Sequence, residues 1–413
     1  MGLATTLSVK AFRFKANGCS RRPTMTPCLS PQELSDLIYR VFQPRETERS
    51  IAFLVDLPDN IVADSPAWAE RRRMTATWAE GLHALEHFPL RVHLVLYRNA
   101  HTTNGDLPKT AWFVSPDIGP EGLPPNAESL DANRSIEFTE IFESIPLLVA
   151  ATEFSATAPL KIAARKYPFR AATMPGFTAA MIPALRLDYA EINRRVMRLK
   201  ELLDDAVSAT CQFLVDGNVE QSLVLDLRYR KAHASGGVFP DPGVAGNLPS
   251  GESYIVPYEG EIPADPSRSE GRLPVELDGE IVTYVIAKNK AVSVVNPDGS
   301  SVARNESLRL AREPAYGNIA ELGLGVLDAF GVEPTGEILL DEKLGLHIAF
   351  GRSDHFGGVV GPADFSSPDA VVHIDRVYVP RIQPRVAVKR VELLCSNGAR
   401  FPLMIDGQYV IEF

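Results

Sequence analysis

The chain has 413 residues, of which 45% are hydrophobic and 23% charged, and its formal net charge is -10. That length exceeds one ordinary hydrophobic core and predicts a two-domain globular protein. The acidic balance argues against nucleic acid as the main partner, since phosphate binding needs a basic face, and no apolar stretch reaches the length of a membrane span.

The first 32 residues contain no Asp or Glu but carry Lys10, Arg13, Lys15, Arg21 and Arg22. Such a start resembles a transit peptide, or an upstream extension ahead of a true start at Met25. Met1-Gly2-Leu3-Ala4-Thr5-Thr6 also fits a short myristoylation pattern without a second anchor. Residues 1–30 are expected to be a disordered extension.

A domain over residues 31–186 follows, alternating strand-like and helix-like segments. Ile51 to Asp56 reads as a strand, and Ser65 to His87 as a helix with Met74, Trp78, Leu82 and Leu85 on one stripe. Next come a strand over Val92 to Tyr97, a helix around Glu137 to Glu143 and a strand over Leu147 to Ala151. A helix over Ala158 to Lys166 and a strand near Phe169 to Thr173 complete the pattern. Strands separated by helices predict an α/β domain with a mostly parallel sheet. Arg71-Arg72-Arg73, a compact basic run, is expected on a solvated helix face.

A connecting helix is expected over 187–210, with Ile192, Val196, Leu199 and Leu203 on one stripe from Asp188 to Ala209. Beyond it, residues 211–413 read as a β-rich α+β domain of short strands and Gly/Pro turns. Glu280 to Ile286, Ala291 to Val295 and the Asp406-Gly407 turn belong to it. Ser235-Gly236-Gly237 through Gly251 is expected to be a flexible loop at the mouth of a site. The four cysteines, Cys19, Cys28, Cys211 and Cys395, form no CxxC pair, which argues against thiolate zinc and a disulfide framework and fits a reducing cytoplasm.

Ligand-capable groups crowd between Glu342 and Asp375, where three of the eight histidines stand among carboxylates. His373-Ile374-Asp375 lies in a β-branched run, and side chains at i and i+2 of a strand leave on the same face. Imidazole and carboxylate pointing together is what a divalent ion needs from one short element. His347 stands in a second strand-like run, Leu346 to Phe350, with Glu342 five residues earlier. A lone histidine in an apolar strand is usually a core residue; two, each with a nearby carboxylate, point to a metal site. Glu252 ends the turn-rich Gly246 to Gly251 stretch, and Glu321 lies among small and apolar residues in Tyr316 to Gly323, settings that favour packing over solvent.

Together these motifs resemble the aminopeptidase T family of thermophilic metalloaminopeptidases. The stretch Asn247-Leu248-Pro249-Ser250-Gly251-Glu252, Glu321, the element Glu342 to Gly351 with His347, and the pair His373/Asp375 keep that family's order and spacing, from about residue 170 to 380. The resemblance implies that Glu252, Glu321, Glu342, His347, His373 and Asp375 hold two divalent ions, Zn, Co or Mn, with Glu321 bridging. It implies an aminopeptidase that releases N-terminal residues with a water activated by two metals, acting on a peptide or small amide, as a cytoplasmic homodimer.

The family places a catalytic tyrosine seven residues after the histidine, and Asp354 stands there, followed by His355. An ionised carboxylate cannot donate a hydrogen bond, so His355 is the candidate proton carrier, with Asp354 and Glu252 as further catalytic candidates and Ser353 a weaker one. The same scaffold also resembles a 2,5-dihydroxypyridine dioxygenase. That alternative needs one Fe(II) held by His373, Asp375 and either His347 or His355, and leaves three glutamates without a use. A binding module without activity is a third possibility. His83-Ala84-Leu85-Glu86-His87 matches a zinc pattern but lacks a partner carboxylate, and Gly323-Leu324-Gly325 with Gly331 is no dinucleotide fingerprint.

Overall fold

The computed structural model describes residues 28–413. Most of the extension expected over 1–30, with its Met25 start and myristoylation pattern, lies outside the described residues. Ser30 already caps a helix. Its side chain accepts from the Glu33 amide while Glu33 accepts from the Ser30 amide, and Pro31 occupies the first turn, where no amide hydrogen is required. This helix, α1 (Pro31–Phe42), buries Leu34, Leu37, Ile38, Val41 and Phe42.

The following elements are β1 (Ser50–Leu57), α2 (Pro66–His83), β2 (Arg91–Arg98), β3 (Thr110–Val114), β4 (Ile136–Glu137), α3 (Phe138–Ser144), β5 (Leu147–Ala150), α4 (Thr157–Ala164) and β6 (Arg170–Thr173). Strands β6, β5, β1 and β2 pair in parallel, and β3 and β4 add antiparallel at one edge. The unbroken apolar run of β1 follows from burial on both faces. Ile51, Phe53 and Val55 join the core with α1 and α2, while Ala52 and Leu54 join a second core with α3 and α4. Arg71 and Arg72 are buried, contrary to the solvated face expected for the arginine run. Arg71 donates to the Phe177 carbonyl and pairs with Glu153, and Arg72 forks onto Asp64.

After the short α5 (Ile182–Leu185), helix α6 (Tyr189–Asp205) carries the expected stripe but stops before Ala206. From there the chain is β7 (Ala206–Val215), because Ala206 to Thr210, with β-branched Val207 and Thr210, pairs against another strand instead. The later elements are β8 (Val219–Asp226), β9 (His233–Ser235), β10 (Val244–Asn247), β11 (Glu252–Ile255), β12 (Glu270–Leu277), β13 (Glu280–Ala287), β14 (Lys290–Val294), α7 (Ser301–Arg312), β15 (Ile319–Gly325), α8 (Ile338–Asp341), β16 (Leu346–Gly351), β17 (His373–Val377), β18 (Val386–Cys395), β19 (Arg400–Ile405) and β20 (Gln408–Tyr409). Apart from β10, the strands from β7 onward form two antiparallel sheets. One has eight strands in the order β14-β13-β12-β8-β7-β18-β19-β20, and the other has five in the order β17-β16-β15-β11-β9.

The stretch expected to be a flexible loop over 235–251 instead contributes β10, which extends the first sheet by pairing in parallel with β6. Asn247 ends β10 at the carboxyl edge of that sheet, and Leu248 to Gly251 lead directly into Glu252. The β10–β11 connection thus joins the parallel sheet's carboxyl edge to the five-stranded sheet. No helix among the described residues is long and apolar enough to cross a membrane.

Candidate metal centre

Four adjacent strands of the five-stranded sheet bring the ligand types together. Glu321 of β15 stands opposite Ala349 of β16, which stands opposite Asp375 of β17; Gly323 faces His347, Gly325 faces Glu252 of β11, and Gly351 faces His373. Cross-strand partners share a face, so Glu252, Glu321, His347, His373 and Asp375 all project from the same side. The alternate residues of β15, Ala320, Leu322 and Leu324, are buried on the other side.

The ligand atoms form two overlapping groups, Glu252–Glu321–His347 and Glu321–His373–Asp375, each with its atoms within 4.8 Å of one another. Glu321 belongs to both. Its Oε1 lies 3.1 Å from His347 Nε2, and its Oε2 lies 3.4 Å from His373 Nε2. Glu252 Oε2 is 3.5 Å from His347 Nε2, and Asp375 Oδ1 is 3.5 Å from His373 Nε2. His347 is fully buried and its ring passes over Gly323, where an added Cβ would fall 1.8 Å from His347 Nε2. Only glycine leaves room for that imidazole.

Backbone carbonyls orient both rings. His347 Nδ1 lies 3.3 Å from the Gly345 oxygen, and His373 Nδ1 lies 2.8 Å from the Arg352 oxygen. A carbonyl can only accept, so Nδ1 carries the hydrogen and Nε2 faces the carboxylates, the tautomer of a metal-ligating histidine. Glu342 lies outside both groups. Its carboxylate is bonded by Lys343, whose Nζ also donates to Glu252 Oε1 at 2.6 Å.

Electrostatics make this face demand cations. Four carboxylates, Glu252, Glu321, Glu342 and Asp375, against the single buried Lys343 leave a formal charge of minus three with neutral imidazoles. One oxygen in each group, Glu252 Oε2 and Asp375 Oδ1, is buried without a hydrogen-bond partner. Without ions, protons answer the charge. Burial pushes Glu342 up to about 8, reinforced by Glu252 and Asp375 against the pull of Lys343. Burial opposes the charged form of His347, yet Glu321, Glu252 and Asp375 raise it to about 9, and Asp375 and Glu321 likewise raise His373. Burial would raise Glu321, but the two histidines hold it well below the usual range. Oriented imidazoles, hard oxygen donors and orphaned carboxylate oxygens fit divalent ions.

The 3-10 turn Asp354 to Phe356 stands beside His373. The His355 ring centroid is 5.6 Å from that of His373, its Nδ1 is 3.5 Å from Asp354 Oδ1, and Arg352 holds Asp354 with Nε at 2.6 Å. Burial first, then the charges of His373 and Arg352, lower His355 to about 4, which leaves it neutral near pH 7. Neither Asp354 nor His355 belongs to the ligand groups. His83 and His87 of the zinc-like pattern pair with Asp117 and Glu86, far along the chain from the centre.

Sequence reasoning missed three contributors. Lys343 adjoins Glu342 in the chain, but its second partner, Glu252, comes from a distant segment. Gly323 shares its strand face with Glu321, a signal that alternation supplies. Tyr254 shares a face with Glu252 and is stacked on His233 with Phe356 at its edge.

No family model matches the chain, and no curated protein matches it. Among solved structures, it is similar to 2,5-dihydroxypyridine dioxygenase from Pseudomonas putida KT2440, with a TM-score of 0.57 and 15% identity over 93% of this chain and 99% of that one. It is also similar to AmpT from Thermus thermophilus, with a TM-score of 0.50 and 18% identity over 92% of this chain and 99% of that one. The chain shares its fold with both. At these identities the likeness is one of fold, and the site residues rest on the geometry above.

Proposed function

We propose that this chain is a two-metal hydrolase of aminopeptidase type, acting on a peptide or small amide. The observation that carries the reading is Glu321 standing in both ligand groups, each completed by one imidazole and one further carboxylate. Glu252, Glu321 and His347 would hold one ion and Glu321, His373 and Asp375 the other, with Glu342 and Lys343 alongside. Bound there, divalent ions of the Zn, Co or Mn kind supply polarisation of a carbonyl and a nucleophile at neutral pH. The neutral His355 would carry a proton to the leaving amine, with Asp354 as its positioning residue and Arg352 fixing Asp354. A homodimer and a cytoplasmic setting belong to the same proposal.

The test is amide cleavage of Leu-p-nitroanilide by protein reconstituted separately with zinc, cobalt and manganese. Cleavage abolished by chelation and restored by metal supports the reading; no cleavage with any of the three contradicts it. A second reading, a ring-cleaving dioxygenase with one Fe(II), is favoured by the likeness to 2,5-dihydroxypyridine dioxygenase. Against it, each ligand group contains one histidine, whereas that reading needs two histidines and one carboxylate about one iron. Oxygen consumption with 2,5-dihydroxypyridine and Fe(II) decides between them.

A further inference from the structure

A lysine within electrostatic reach of the metal centre has no ion pair among the described residues. Lys161 lies on α4, which packs against β10, and β10 runs through Leu248 to Gly251 into Glu252. One turn earlier on the same helix face, the Thr157 hydroxyl bonds Asn247 Oδ1 at 3.0 Å and meets the Thr173 hydroxyl at 2.8 Å, fixing α4 to the carboxyl ends of β6 and β10. Lys161 is half-buried, has neither hydrogen bond nor ion pair among the described residues, and lies within electrostatic reach of Glu252, Lys343 and Glu321. Burial lowers its pKa, with Lys343 and Arg165 adding to the fall and Glu252 and Glu321 opposing it.

The cationic side chains Lys343 and Arg352 and the ligand imidazoles at the centre have partners. Lys343 is shared by Glu252 and Glu342, Arg352 is forked onto Asp354, and both ligand imidazoles give Nδ1 to carbonyls. The remaining ligand groups, Glu252, Glu321 and Asp375, are carboxylate acceptors. A half-desolvated ammonium without a partner is costly, and the carboxyl edge of a parallel sheet is where α/β folds seat ligands.

We propose that Lys161 binds an anionic oxygen of the substrate, clamping it between the N-terminal sheet and the metal centre. The oxygen has two possible sources, a free carboxylate on the substrate or the oxyanion that develops on the attacked carbonyl. This rests on the hydrolase reading for the nature of that oxygen, and on the seating of α4 against β10 and the unpartnered ammonium for the role of the lysine.

The experiment compares wild type, Lys161→Met and Lys161→Arg, each loaded with zinc and checked for metal content. Calorimetry with leucine phosphonic acid, an anionic tetrahedral probe, is set against leucinamide, a neutral one. Lys161→Met should weaken the phosphonate at least about tenfold while leucinamide affinity and metal content stay unchanged, and Lys161→Arg should recover most of the loss. Steady-state kinetics then separate the sources. A raised KM for Leu-Gly but not for Leu-p-nitroanilide identifies a free carboxylate; a lowered kcat for both identifies the oxyanion. Equal phosphonate binding by wild type and Lys161→Met, including none by either, overturns the proposal. So does a parallel loss of leucinamide binding or metal, which marks a structural role. If Leu-p-nitroanilide is not cleaved while the phosphonate difference persists, the hydrolase reading fails and the role of Lys161 stands.

Discussion

Asp56 and Glu321 are both buried strand carboxylates, and the two halves of the chain treat them in opposite ways. Asp56, near the carboxyl end of β1, accepts from Trp68 Nε1 at 3.0 Å and from the amides of Glu153 and Phe154 at 3.0 and 3.1 Å. These are neutral, fixed donors. They satisfy its hydrogen bonds but do not offset burial, which raises Asp56 to about 6. Glu321 meets two imidazoles that can carry charge, and it stays ionised. Around it, two carboxylate oxygens have no hydrogen-bond partner. In the parallel sheet a buried carboxylate closes its own hydrogen-bond accounts with the backbone. In the five-stranded sheet the backbone donors are consumed by the ladder, and the carboxylates of one face are left to cations.

The sharpest way to break this contrast is Glu321→Ala. It removes the group common to both ligand sets, so metal analysis should fall from two ions per chain to none. Retention of one ion would mean that Glu321 does not bridge.

Next is Lys343→Met, which leaves Glu252 and Glu342 without their buried cation. In metal-free protein the loss of stability should be about 3–5 kcal/mol by denaturant unfolding. It should shrink when zinc is present, because bound ions supply compensation that the lysine no longer gives. An equal loss with and without zinc would show that the ions and Lys343 do not share the same carboxylates.

Asp56→Asn sharpens the other side of the comparison. A carboxylate raised from 3.8 to about 6 in the fold contributes stability that is present below about pH 4 and lost as pH rises through 6. The variant lacks that titration, so in chelator-treated protein it should gain on wild type by roughly 3 kcal/mol between pH 4 and pH 7. Its metal content should not change. A stability difference independent of pH would place the burial penalty elsewhere.

The smallest effect on the fold is expected for His355→Ala. The half-exposed ring lies outside both ligand groups, so stability should move by no more than about 0.5 kcal/mol and both ions should remain. Turnover should fall by about 10²-fold or more if the ring carries the proton. Loss of metal in this variant would make His355 a ligand.

The sequence made much of this legible where alternation applies. His373 and Asp375 share a strand face by spacing alone, and β13, β14 and the turn at Asp406-Gly407 fall where hairpin signals put them. Other features depend on pairing between distant segments. Nothing local in Val244 to Asn247 reveals that it returns to the first sheet, because its partner β6 lies about seventy residues earlier. Arg71 and Arg72 look like surface charge until Glu153 and Asp64 arrive. Helix α6 gives way to β7 at Ala206 because the β18 ladder outweighs a helical pattern that would otherwise continue. Lys343 was hidden for a similar reason. Its partner Glu252 is ninety-one positions away.

Metal content per chain, measured by mass spectrometry on protein purified without chelator and re-equilibrated with zinc, bears most directly on the two-ion centre. Two ions per wild-type chain is the expected result. One ion per chain, or protein that stays metal-free, would contradict it.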